Sequence, residues 1–267
     1  RHAAAYDRLS RLWGASGHLG SLTAHSARAD RRSVLRGAAS AALAVSALWA
    51  GGRLLLGPHP FADHGTGTGE RRTVMLPDRS RVELSTATAL SVDFSSRRRL
   101  VRLLDGEAWF QVARDPARPF IVEAAGGRTT ALGTAFAVAR QGDGARICVT
   151  EHAVRVVAGS MARTVGEGQS LVYGSGSKGL VESADPAALA WRSGRLAFVN
   201  RPLGEVAAEL DRWTGGHTIV ADEALAAHPV TLMTATQEAG DALVKLAAAV
   251  PMRITRLTSL LTIVRTP

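Results

Sequence analysis

The hydrophobic pattern changes period twice along this chain. After a charged leader, residues 37–52 run without a single charge. From residue 72 onward apolar and polar positions alternate: Val82 and Leu84 interleave with Arg81 and Glu83, and Leu90, Val92 and Phe94 with Ser91 and Asp93. A period of two places the apolar side chains on one face of a sheet. Similar short runs predict strands at 101–104, 108–112, 120–123, 130–138, 146–149, 154–157 and 170–173. Between them stand turn formers, among them Pro77-Asp78, Asp105-Gly106, Gly126-Gly127 and Asp143-Gly144. These supply the bends and positive dihedrals that chain reversal needs. Residues 70–182 therefore read as one all-β domain, either a sandwich or a short coil of stacked strands.

Near Asp185 the period lengthens. Asp185-Pro186 starts a short helix through Trp191, and a strand follows at 195–199. Leu203, Val206, Ala207 and Leu210 then recur at the spacing of one helical face, which predicts a helix over 202–213 stopped by Gly215-Gly216. Further elements are a strand at 218–220, a helical turn at 223–226, a strand at 229–233, a long helix at 237–249, and strands at 252–256 and 260–264. Residues 183–267 read as a small α+β domain, a β-α-β unit used twice, whose helices need a sheet face to cover.

The uncharged run is the third element. At about 1.5 Å per residue its sixteen residues cover roughly 24 Å of a hydrocarbon layer of about 30 Å, and Leu54 to Leu56 close the gap if Arg53 snorkels. Arg28, Arg31, Arg32 and Arg36 precede it, Trp49 sits near its far end, and Pro58 and Pro60 follow. Basic residues on the side that stays in the cytoplasm, with an aromatic at an interface, mark an inserted helix. Arg31-Arg32-Ser33-Val34-Leu35-Arg36 also has the form of a twin-arginine export signal. A buried Ala-rich helix is the plainer alternative. The expected organisation is a cytoplasmic head at 1–32, a retained transmembrane signal anchor at 33–56, a linker at 57–69, and two exported domains beyond. Such a chain crosses a membrane once, with its N-terminus in the cytoplasm and its C-terminus exported.

Charge supports that division rather than a nucleic-acid role. The formal net charge of +9 is concentrated ahead of the anchor, where residues 1–36 hold seven arginines against Asp7 and Asp30. The dense run Arg97-Arg98-Arg99 has no aromatic stacking pattern around it and reads as a solvated turn. The single cysteine, Cys148, excludes an intramolecular disulfide and a Cys-rich metal site, and in Ile147-Cys148-Val149 it reads as a small strand residue.

Catalytic constellations are missing. Gly65-Thr66-Gly67-Thr68-Gly69 has alternating glycines without the lysine or preceding strand of a phosphate loop and reads as flexible linker. His59, Asp63 and His64 share that linker and read as solvated. Asp105 and Glu107 flank Gly106 and read as turn caps facing solvent. His152 and His217 are isolated. The expectation is a binding protein, with no enzyme activity, cofactor or metal.

Several segments then point to one family. Gly69 to Asp78 reads GERRTVMLPD, Val92-Asp93-Phe94 follows, and Leu104 to Val112 reads LDGEAWFQV. Asp115 to Phe120 reads DPARPF and Thr130 to Phe136 reads TALGTAF. In this order they resemble the FecR family of transmembrane sensors and anti-sigma regulators, and the C-terminal unit resembles the small signalling or secretin-type domain of many members. The resemblance implies an inner-membrane regulator with two protein partners. An extracytoplasmic-function sigma factor binds on the cytoplasmic side, and the signalling domain of an outer-membrane TonB-dependent transducer on the periplasmic side, often in iron-siderophore uptake. Membrane lipid surrounds the anchor, and nucleic acid is not contacted directly. In the head, Tyr6, Leu9, Leu12 and Trp13 share one helical face and are the candidate sigma-factor contacts; Arg31, Arg32 and Arg36 are the candidate topology signals. An envelope scaffold or polysaccharide-binding module without sigma-factor regulation is the alternative reading, and exposed aromatics on the β domain would favour it.

Two departures from the family pattern concern the backbone. Arg79 stands where the family has Gly after Leu76-Pro77-Asp78, and His152 where it has a Gly-bearing turn. Only about thirty residues precede the anchor here, fewer than the family's sigma-binding region needs.

Overall fold

The computed structural model describes residues 59–267, which form one compact unit, His59–Pro267. The head and anchor assigned from sequence lie outside the described residues. Among those described, no helix is long and apolar enough to cross a membrane.

Fourteen strands build the first part. They are β1 (His64–Gly65), β2 (Arg72–Met75), β3 (Arg81–Leu84), β4 (Ala89–Phe94), β5 (Arg99–Asp105), β6 (Glu107–Gln111) and β7 (Phe120–Ala124). After these come β8 (Gly127–Ala131), β9 (Ala135–Gln141), β10 (Gly144–Glu151), β11 (Ala153–Ala158), β12 (Met161–Gly166), β13 (Gln169–Tyr173) and β14 (Val181–Ser183). They form two seven-stranded sheets, ordered β1-β4-β5-β7-β8-β11-β12 and β14-β13-β10-β9-β6-β3-β2. The chain winds between them, placing one or two strands in a sheet before crossing to the other. Both sequence readings, sandwich and coil, thus describe one object.

A single apolar core fills the gap between the sheets. Leu90, Val101, Phe120 and Val156 of the first sheet meet Val82, Phe110, Phe136 and Ile147 of the second. The Phe110 ring stacks on Phe136 with centroids 5.4 Å apart and lies 5.9 Å from Phe120. Each such ring contributes roughly 1.5–3 kcal/mol of burial. Tyr173 closes one end by donating its hydroxyl to the Ala124 carbonyl across the two sheets at 2.6 Å, and burial pushes that hydroxyl's pKa up to about 12. At the β5–β6 corner Gly106 has φ +78°, and a Cβ there would collide with Thr88, so the Asp-Gly pair is required by space as well as by dihedral.

The structure corrects the sequence reading at several points. The single strand expected at 130–138 is two, β8 and β9, in different sheets, with Leu132-Gly133-Thr134 turning the corner between them. β12 and β14 were not foreseen; both are polar edge strands. The Gly-Thr stretch is not a free linker. His64 and Gly65 pair with Leu90 and Ala89, Thr66 Oγ1 donates to Ser85 O, and Gly69 N donates to Thr86 Oγ1 at 2.7 Å.

Beyond β14, a 3-10 helix (Pro186–Ser193) starts with the Asp185 side chain accepting from Ala187 N at 2.8 Å. Next come β15 (Arg195–Pro202), α1 (Leu203–Thr214), β16 (His217–Val220), α2 (Glu223–Ala226) and β17 (Pro229–Ala235). α1 buries Leu203, Val206, Ala207, Leu210 and Trp213, and Gly215 at φ +70° ends it by donating to Asp211 O. The long helix expected at 237–249 is a 3-10 turn (Thr236–Asp241) followed by α3 (Ala242–Ala247). β18 (Arg253–Arg256) and β19 (Leu261–Arg265) complete the chain. The two β-α-β units do not each make a sheet of their own. Their first strands pair with each other, β15 with β17, while β16 lies parallel to β19, which pairs with β18.

Candidate functional site

The two sheets differ in what lies outside them. On the outer face of the second sheet, Trp109, Ala135, Ala137 and Cys148 form a second core with Trp191, Phe198, Leu203 and Leu210 of the C-terminal unit. The alanines and cysteine matter by being small, since they let the helices approach the strands. Sandwich and C-terminal unit thus meet along a packed seam.

Polar contacts fix the seam's register. Arg192 lays its guanidinium 3.4 Å from the centre of the Trp109 ring and donates to both oxygens of Glu83, at 2.7 and 3.2 Å. Arg71, from the loop before β2, donates to the carbonyls of Trp191 and Arg192 at 2.9 and 3.0 Å. Thr86 Oγ1 donates to Arg212 O at the end of α1. A planar guanidinium satisfies stacking and bidentate bonding together, which a lysine would not.

Glu107 occupies one end of this seam. The sequence reading placed it in solvent beside Asp105; instead it is 3% exposed. Asp105 does cap the bend, accepting from Gly106 N. The nearest cation to Glu107 is Arg146 Nη2, at 4.0 Å. Burial raises the pKa of the carboxyl above its ordinary value, Glu209 adds to the rise, and Arg146, Arg212 and Trp191 oppose it. Cys148, close by on β10, also has its thiol pKa pushed up by burial, as expected of a packing residue rather than a nucleophile.

A second correction concerns Arg99. Read as part of a solvated run, it is fully buried and pairs with Asp78 at 2.7 Å. Its Nε donates to Arg118 O and its Nη1 to Ala113 O, and its guanidinium lies 5.4 Å from the Phe120 ring centre. One side chain thereby ties the Pro77-Asp78 turn and the loop through Asp115-Pro116 to the core. Arg97 and Arg98 are exposed, as expected.

The other residues singled out from sequence fall in three groups. Tyr6, Leu9, Leu12, Trp13, Arg31, Arg32 and Arg36 lie outside the described residues. Asp63 accepts from Val92 N at 2.8 Å, and His59 Nε2 stands 3.8 Å from Asp105 Oδ2. Among the described residues, no group of three or more His, Cys, Asp or Glu side chains is placed to hold a metal ion. His152 and His217 are exposed.

Sequence reasoning missed an apolar surface on the C-terminal sheet. Val220, Val264 and Ile254 form one cross-strand row turned to the second core. Period-two alternation turns the next row, Ile219, Ile263 and Thr255, the other way. Ile219 is 43% exposed, and Leu257 and Leu260 at the β18–β19 turn are exposed beside it. The alternation of 252–256 and 260–264 carried this signal, but not which face the helices would leave bare.

A two-sheet sandwich seamed to a small α+β unit, held by packing and ion pairs, is the class of protein this geometry defines. Residues 62–155, most of the sandwich, match the family described as FecR protein. Two crystal structures of a putative anti-sigma factor from Parabacteroides distasonis share the fold. One has a TM-score of 0.68 at 22% identity, the other 0.67 at 21%, and each match covers 76% of this chain and 98% of that one. No curated protein matches the chain.

Proposed function

We propose that this chain is a non-catalytic signal relay of the bacterial inner membrane. The observation that carries the proposal is the FecR match over residues 62–155, in a sandwich whose covered sheet is locked to a C-terminal unit with a bare apolar face. The description of the P. distasonis relatives as anti-sigma factors supports the same reading. The signalling domain of an outer-membrane TonB-dependent transducer docks on the row of Ile219 and Ile263. The seam passes that occupancy to the sandwich, and the anchor at 33–56 passes it to a cytoplasmic head that holds an extracytoplasmic-function sigma factor through Tyr6, Leu9, Leu12 and Trp13. Iron-siderophore uptake is the process such a relay serves. The scaffold or polysaccharide-binding alternative loses its expected support, because Trp109, Phe110, Phe120 and Phe136 are all buried.

Co-purification tests both ends. Trp13→Ala in the full chain should weaken sigma-factor capture, and Ile219→Asp should abolish capture of the transducer domain, because a charge in an apolar contact is left unpaired. Unchanged capture by both variants, with folding intact, would overturn the relay.

A further inference from the structure

The first sheet ends in β12, which pairs with β11 on one side and with no strand on the other. At six residues it is longer than β1, β2 and β14, the other edge strands of the sandwich. Native edges are commonly blunted by shortness, a proline, a bulge or a covering loop. β12 reads MARTVG, without proline, and keeps its register with β11 from Met161 to Gly166. Its backbone groups alternate sides along the strand. Gly166 N donates to the Gln169 side chain at 2.8 Å, and Ala162 O accepts from the Arg163 side chain at 3.0 Å. Ala162, Thr164 and Gly166 therefore face away from β11. Thr164, between the other two, is exposed, and its N–H and C=O have no partner among the described residues.

A cleft lies towards each end of this edge, and both are basic. Met161 and Arg163 line the first, of about 540 Å³, together with Lys178. Thr164 lines the second, of about 730 Å³, together with Arg155, Arg114 and Leu132, which is 52% exposed. No carboxylate lines either cleft; Glu151 and Glu167, near the strand in sequence, stay outside both. Arg102, Arg118 and Arg128 each pair with a carboxylate. Arg114, Arg155, Arg163 and Lys178 pair with none among the described residues. One basic residue on an edge deters other strands, which accounts for Arg163 alone. Four unpaired cations around one open edge favour a strand of opposite charge.

We infer that β12 receives an extended acidic segment of a partner protein as an added strand. The backbone of that segment bonds Thr164, and its carboxylates reach Arg155 and Arg163. Strand addition uses main-chain bonds and side-chain pockets together, whereas anionic lipid or nucleic acid engages only the cations. A second copy of this chain, paired edge to edge, would set the same cations against one another. The surface is separate from the row of Ile219 and Ile263.

The probe is a fluorescent eight-residue peptide alternating glutamate and valine, titrated with the full chain and followed by anisotropy. Hydrogen exchange is read over residues 161–166 in parallel. Saturable binding and slowed exchange at Thr164 are expected. Thr164→Pro removes the outward N–H at a position where an edge strand tolerates proline. It should abolish both signals while circular dichroism stays unchanged. Arg155→Gln combined with Lys178→Gln, both at exposed positions, should weaken binding about tenfold, the worth of two exposed ion pairs. Ile219→Asp should leave binding unchanged, which separates this site from the transducer surface; loss of binding in that variant overturns the assignment. So does the absence of saturable binding, or equal binding of a peptide with lysine in place of glutamate. Binding without slowed exchange at Thr164, or indifferent to both the proline and the glutamine substitutions, overturns it as well. Phosphatidylglycerol vesicles captured equally by the parent chain and Thr164→Pro, with no peptide bound, would assign the cations to a lipid surface instead.

Discussion

The two outer faces of the sandwich solve opposite problems with similar strands. On the first sheet, Asp93, Arg102, Glu123 and Arg128 form a ladder across four strands, with Arg102 3.4 Å from Asp93 and 3.6 Å from Glu123, and Arg128 2.8 Å from Glu123. All four face water. On the second sheet the corresponding surface is Trp109, Ala135, Ala137 and Cys148, sealed under the C-terminal unit. The ladder adds little stability, since exposed pairs contribute about 0–1 kcal/mol, but it keeps the face solvated and unattractive to other strands. The sealed face gives up solubility for attachment. Only one side of the sandwich is therefore mechanically coupled to anything else among the described residues.

Substitutions on the two sides should separate cleanly. Trp109→Ala removes a buried ring and the surface on which Arg192 stacks, and should cost about 3–5 kcal/mol in denaturant unfolding. Val157→Ala, on the outer face of the first sheet, should cost less than about 1 kcal/mol in the same assay. Equal losses would mean that the seam adds nothing beyond ordinary burial. Arg99→Met tests the interior between the faces. It leaves Asp78 buried without its cation and should cost about 3 kcal/mol or more, whereas Arg102→Met, three residues along β5 and pointing outward, should cost less than about 1 kcal/mol and only at low salt.

The seam should also carry a pH dependence. Because the Glu107 carboxyl is raised on folding, the folded state binds its proton more readily than the unfolded one. Its contribution is fully present below the ordinary carboxylate value and is lost as pH rises through the raised one. Glu107→Gln should flatten that slope and stabilise the protein at neutral pH, measured by thermal midpoints across a pH series. A slope unchanged by the substitution would place the titration elsewhere.

The smallest effects are expected at the turns. Arg79 and His152 stand at φ +69° and +62°, in the left-handed region that costs a side-chain-bearing residue about 1–2 kcal/mol. Arg79→Gly and His152→Gly should each stabilise the protein by up to about 1 kcal/mol, the gain being reduced by glycine's greater chain entropy. Destabilisation would show that the side chains make contacts that outweigh the strain.

These positions show what was legible in the sequence. The strain at 79 and 152 was flagged by the resemblance, whose pattern has glycine there, and the positive dihedrals of both turns agree with it. Strands of the first sheet were readable because one face is wet, so β7 and β11 alternate cleanly. The central strands of the second sheet, β6, β9 and β10, are buried on both faces, and β9 reads as an unbroken apolar run, which is why its start merged with β8. Arg99 and Glu107 were misread for a different reason. Their surroundings come from residues far along the chain, Ala113 and Arg118 for one, Trp191 and Glu209 for the other, and no local pattern announces a distant carbonyl or a covering helix. The long helix expected at 237–249 failed at Gly240 and Asp241, where a 3-10 turn precedes α3. For the site, the seam and the bare sheet row required the packing.

The winding path of the chain has a kinetic meaning as well. Successive strand pairs are dealt alternately to the two sheets, so β5 and β7 become parallel neighbours only after β6 has been laid down opposite. The first sheet is complete at Gly166 and the second only at Ser183. No half of the sandwich can close its own core early, and half of its strand pairings join strands that are not consecutive along the chain. Folding should accordingly be slow and all-or-none, with every partly emerged chain presenting unpaired edges until its last strands arrive.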